Sequence, residues 1–169
     1  MHLDLLTRLF ENEGTPLVRT DFSDDAAWER VAQAVTAPAD LGTGIDPDVP
    51  GDDGSYAPNI EAVSDRAFEG ATAQSLAEAA TKKPLGYALL ADGRSMREAV
   101  AGGELTVVYV DLSVWPEDAE EFGWTYGREF RCDVGEVAGI EVNLSIANMD
   151  FEEFADSVED DGVFLGFPE

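Results

Sequence analysis

ELTVVYVDLSV, residues 104–114, is dense in β-branched and apolar residues. That is the composition of a central strand covered on both faces. A strand buried on both faces needs helices above and below it, and the flanking sequence supplies them. PLVRTDF (16–22) reads as a strand, and SDDAAWERVAQAV follows it with Trp28, Val31 and Val35 at helical spacing. PNIEAVSD (58–65), PLGYALLAD (84–92), REFRCD (128–133) and GVFLGF (162–167) read as further strands. Strands alternating with helices predict a single layered α/β domain, its sheet largely parallel or mixed, flanked by helices, with room for an antiparallel strand at the edge.

The helix starts carry polar signals. Ser23 is placed to cap the first core helix, with Asp24 and Asp25 in the first turn, where the helix dipole favours anions. Thr72 caps a second helix running to about Ala80, and Ser95 with Glu98 forms an S-x-x-E capping box for a third, which Gly102 and Gly103 end. Residues 38–57, PADLGTGIDPDVPGDDGSYA, lack periodicity and predict a long exposed acidic loop.

NLSIANMDFEEFADSVEDDGVF, residues 143–164, raises a choice between an acidic site and a well-made helix start. With Asp150 as N-cap, Glu153 falls at the reciprocal capping-box position, and Met149 and Phe154 make a hydrophobic staple. Phe151, Phe154, Ala155 and Val158 share one apolar stripe, and Gly162 stands where a stop is expected. Glu152, Asp156, Glu159 and Asp160 are thereby assigned to the solvated face, as a solvating surface or as an acidic ridge for a partner. An EF-hand fails on spacing: from Asp150 the fifth and sixth positions are Phe154 and Ala155, and from Asp46 the fifth is Pro50 and the twelfth Ala57.

Charge is the strongest global signal. The 169 residues hold 36 Asp and Glu against 10 Lys and Arg, a formal net charge of −26. Nucleic-acid binding draws its affinity from Lys and Arg displacing counterions, so direct contact with phosphate backbones is excluded. No apolar run approaches the roughly 18 residues that span a bilayer, and the basic residues do not cluster as a surface anchor, so no membrane partner is expected. The single Cys132 and the lack of a leader-like N-terminus predict a cytoplasmic protein. The acids fit three readings: a solvated surface, an interface for a basic protein, and adaptation to high salt.

The chemistry is bounded by what is missing. His2 is the only histidine, in a segment expected to fray, so Ser-His and Cys-His nucleophiles lack a general base, and His/Cys zinc sites lack ligands. Neither the P-loop nor the dinucleotide glycine pattern is present, and no cofactor is expected. Carboxylate-only chemistry with a divalent cation survives as an alternative, with Asp21, Asp24 and Asp25 at the carboxyl end of the first strand as the metal candidates. Three acids at such a turn otherwise serve as caps.

PLVRTDFSDDAAWERV and NLSIANMDFEEFADSVEDDGVFLGF resemble the two ends of a family of uncharacterised domains, a domain of unknown function, from high-GC bacteria. The resemblance covers roughly residues 16–169, implies a small cytoplasmic α/β domain and brings no catalytic residues with it. It also marks two additions: the N-terminal extension MHLDLLTRLFENEGT (1–15) and the segment VWPEDAEEFGWTYGRE (114–129), where relatives pass through a shorter turn. In the extension, Leu3, Leu6, Leu9 and Phe10 can share a helical face, for docking on the parent domain or for a homodimer contact. In the second addition, Trp115, Phe122, Trp124 and Tyr126 fold back on the core or stand out as anchors, rimmed by Glu117, Asp118, Glu120 and Glu121. An extended hairpin or loop is expected here.

The functional expectation is a non-catalytic, acidic protein-binding or regulatory module, of the kind exemplified by immunity-like inhibitors, with a basic protein as its partner.

Overall fold

The run 104–114 forms its strand, as Thr106–Asp111, with five of its six residues buried. The computed structural model describes residues 1–168. The chain opens with α1 (Leu3–Arg8), β1 (Thr15–Arg19) and α2 (Asp25–Thr36). A loop closed by the two-residue strands β2 (Ala39–Asp40) and β3 (Ser55–Tyr56) leads to β4 (Ile60–Val63), α3 (Ala73–Ala80), β5 (Tyr87–Ala91) and α4 (Gly93–Ala101). The final third holds β6 (Thr106–Asp111), α5 (Pro116–Phe122), β7 (Glu129–Asp133), α6 (Val137–Ser145), α7 (Phe151–Ala155) and β8 (Val163–Phe164).

Six strands form one mixed sheet in the order β4-β1-β5-β6-β7-β8. β6 runs antiparallel to both β5 and β7, and every other neighbouring pair is parallel. The reversed strand is β6 itself, inside the sheet as its composition predicts, whereas the sequence reading allowed for an antiparallel strand at the edge. Its direction follows from how its first residue is held. Glu98 on α4 accepts hydrogen bonds from the Thr106 N–H at 2.8 Å and hydroxyl at 2.7 Å, and Ser95 Oγ donates to the Thr106 carbonyl at 2.6 Å. These bonds fasten the start of β6 beside the end of β5, so β6 has to run back.

Alternation along the strands splits the core in two. On the first face, Leu17, Leu89, Val107, Tyr109, Phe130, Cys132 and Phe164 pack beneath α2, α4, α6 and α7. On the second, Val18, Ala88, Leu90 and Val110 pack beneath α1 and α3, and β7 and β8 add nothing to that cluster. Full cover on one side and partial cover on the other is the main asymmetry of the fold.

Several helix starts differ from the sequence reading. Asp24, not Ser23, caps α2, accepting from the Ala27 N–H at 2.9 Å. At α4 the cap is Asp92, with Ser95 at the third helical position, so the S-x-x-E box lies one turn too far along. Asp92 accepts from Ser95 because it follows β5 directly, leaving no room for the loop the other register needs. Thr72 caps α3 as expected. Glu153 reaches back to the Asp150 N–H at 2.8 Å, and Phe151 and Phe154 are buried, but α7 stops at Ala155. GVFLGF contributes only Val163 and Phe164 as strand.

Candidate functional site

The segment after β6 is a helix, where the sequence suggested a hairpin or loop. Pro116 occupies the first helical turn, Glu117 and Asp118 lie beside the positive end of the dipole, and Gly123 closes α5 at φ 76°, a left-handed conformation that glycine adopts without cost. Ala119 faces inward. Trp115 and Phe122, at the two ends of α5, remain 40% and 62% exposed, and Glu117, Glu120 and Glu121 are exposed between them. The structure thus brings two of the four aromatics and three carboxylates onto one short helix.

The other two aromatics anchor the segment. The Trp124 ring packs at a tilt against Phe122, 4.8 Å between centroids, and lies beneath the Arg128 guanidinium, whose central carbon is 4.4 Å from its centroid. The same guanidinium lies 5.1 Å from the Phe151 ring centroid. It pairs with Asp111 at 3.0 Å and with Glu152. Asp111 is 2% exposed, and its other oxygen accepts from the Ser113 N–H at 2.8 Å and hydroxyl at 2.6 Å. One arginine thereby pairs with two carboxylates, from β6 and α7, and fixes the base of α5. A buried carboxylate without such a partner would be strongly destabilising.

On the second face the segment is clamped to α3. The Tyr126 hydroxyl donates to the Ala77 carbonyl at 3.1 Å. Gly127 has φ 67°, and a Cβ built there would lie 2.3 Å from the Ala77 Cβ, so only glycine fits this approach.

The remaining candidates separate. Asp156, Glu159 and Asp160 are exposed, as expected of a solvated face, whereas Glu152 is turned into the Arg128 pair. Asp21, Asp24 and Asp25 do three different things. Asp21 accepts from the Ser23 N–H and hydroxyl, which hold its carboxyl below the usual range; Asp24 caps α2; Asp25 pairs with the buried Arg19 at 2.8 Å. Among the described residues, no group of three or more His, Cys, Asp or Glu could hold a metal ion. In the N-terminal extension, Leu6 and Leu9 are buried in the second-face cluster, so that side of α1 is occupied by its own domain.

A family model described as a domain of unknown function, DUF6924, matches residues 14–167. The chain belongs to that family. No curated protein and no solved structure matches it. The DUF6924 match takes in α5 and its anchors, while α1 lies before it.

Two buried groups of this DUF6924 domain have no counterpart in the sequence reading. Glu141 on α6 is 4% exposed and accepts from the Tyr56 hydroxyl at 2.7 Å and the Asn59 N–H at 3.3 Å, which ties the acidic loop to the body. Burial and the Glu141 carboxylate push the Tyr56 hydroxyl up to about 12. Arg128 is the second. REFRCD was legible as a strand, but nothing local shows that its first residue collects carboxylates from positions 111 and 152.

Proposed function

We propose that this domain is a non-catalytic acidic module of the bacterial cytoplasm that binds a basic protein through α5, in the manner of an immunity-like inhibitor. The observation that carries the reading is the exposed pair Trp115 and Phe122 on a helix whose free surface is otherwise carboxylate. Large aromatics supply contact energy at interface centres, and charge around them speeds encounter and selects the partner. Arg128, Trp124 and Tyr126 hold the platform in place before binding, which lowers the ordering cost of association. Among the described residues, no helix is long and apolar enough to cross a membrane.

The test compares the wild type with a Trp115→Ala/Phe122→Ala variant, both immobilised and exposed to lysate of the source organism. A captured protein is then purified and its association measured. The expected partner has an isoelectric point above about 9, binds the wild type with an on-rate that falls as salt rises, and leaves the double variant faster. Equal dissociation from both proteins, or a salt-insensitive on-rate, would sink the proposal.

A further inference from the structure

The second sheet face ends in an open groove. α3 borders it on one side and β7 on the other, with Leu90 and Val108 in the floor. Because Phe130 and Cys132 point into the first-face core, Glu129 and Arg131 of β7 point into this groove. Two neighbouring cavities, of about 390 Å³ and 500 Å³, share Glu129 as a wall. The lower one opens at Thr125–Arg128, the foot of the α5 platform.

The charges in this groove are unequal. Its arginines are already engaged: Arg94 pairs with Glu98 at 2.7 Å, Arg131 with Asp92, and Arg128 with Asp111 and Glu152. Glu78, Glu129 and Asp161 also line it, and among the described residues no cation lies within salt-bridge distance of them. Glu129 itself is exposed at the groove wall; partial burial raises its pKa while the nearby Arg131 lowers it, and its carboxylate is open to a cation arriving from outside.

We infer that this groove takes a short extended segment of the basic partner, with a Lys or Arg side chain seated against the Glu129 carboxylate. The inference rests on the proposed acidic binding module and adds a second contact surface to it. The eight residues of α3 set a groove length of about 12 Å, enough for roughly four residues of extended chain. Apolar atoms of the segment cover Leu90 and Val108, and its cationic heads meet Glu129 together with Glu78 and Asp161, which accept hydrogen bonds from the neutral donors Gln74 and the Val163 N–H. Arg131, held by Asp92 and Thr106, does not compete for Glu129.

The probe is an N-acetylated, fluorescein-labelled tetra-arginine amide, followed by anisotropy at about 150 mM salt, where long-range surface attraction is largely screened. Glu129→Gln should weaken binding about tenfold, and Glu129→Lys further. Glu29→Gln, which removes the same charge from an exposed site on α2, over the first face of the sheet, should change it less than about twofold. Amide shifts in ¹⁵N-labelled protein should concentrate in 72–81 and 125–131. The Glu129 side chain makes no hydrogen bond or ion pair among the described residues, so the variants should melt like wild type. Equal weakening by Glu129→Gln and Glu29→Gln, or shifts lying elsewhere, would overturn the groove while leaving the acidic module standing. No binding by wild type even at about 50 mM salt would remove both.

Discussion

The two faces of the sheet are built from different materials. On the first, Tyr109, Phe130, Phe151, Phe154 and Phe164 form a continuous aromatic stack with centroids between 4.9 and 6.3 Å apart. On the second, α3 presents Ala73, Leu76, Ala77 and Ala80. Small residues let α3 lie close to the sheet and to the 125–127 segment, but they cover less of it. The first face is finished by folding. The second leaves the strip over β7 open, with Glu129 exposed along it.

Removing a ring from the stack should have the largest effect. Phe151→Ala, which touches Tyr87, Tyr109, Phe130 and the Arg128 guanidinium, should cost about 4 kcal/mol in denaturant melts, against about 2–3 kcal/mol for Leu76→Ala. Equal losses would erase the distinction between the faces. Next come the two arginine clusters. Arg128→Ala strands Asp111 and Glu152 and should cost about 3 kcal/mol. Arg131→Ala leaves Asp92, whose side chain is 33% exposed and still accepts from the Ser95 N–H as the cap of α4, so about 1 kcal/mol is expected. A reversal of that order would place the rigid anchor on the open face.

Gly127→Ala combines a left-handed backbone with a collision against Ala77 and should cost about 2 kcal/mol. Adding Ala77→Gly should restore part of it, and a double-mutant cycle with no coupling would show that the loop is not seated on α3. The last change concerns the acidic loop. Tyr56→Phe removes a donor from buried Glu141, for a loss of about 1.5 kcal/mol at neutral pH. The Tyr56 pKa is raised in the folded state, so the stability it provides is full below pH 10 and falls as pH rises towards about 12. Wild type and variant should therefore converge over that window in pH-dependent melts.

Elements with a self-contained pattern were legible in the sequence. β6 announced itself by composition, α2 by the spacing of Trp28, Val31 and Val35, and the start of α7 by Glu153. α5 was missed although Pro116 and Gly123 bracket it, because its aromatics drew attention away from its ends. α6 was missed for a physical reason: apolar residues surround it, so no amphipathic period stands out, and its one buried acid, Glu141, reads as a surface residue until Tyr56 is beside it. Residue type left Trp115 and Trp124 open between folding back and standing out, because the engagement of Trp124 depends on an arginine whose partners lie in two other elements. The direction of β6 was hidden for the same reason, since it is set by contacts among Glu98, Ser95 and Thr106 and not by any property of the strand.

That reversed strand also sets the order in which the molecule can assemble. Pairing Leu89 with Tyr109 and Tyr109 with Phe130 joins residues only about twenty apart, whereas Leu17 reaches Leu89 across roughly seventy. The meander β5-β6-β7 therefore closes small loops first and offers an edge on which β1, and then β4, can be templated. Turning one inner strand around gives a sheet that is otherwise parallel a fast local nucleus, which a fully parallel arrangement of the same strands would lack.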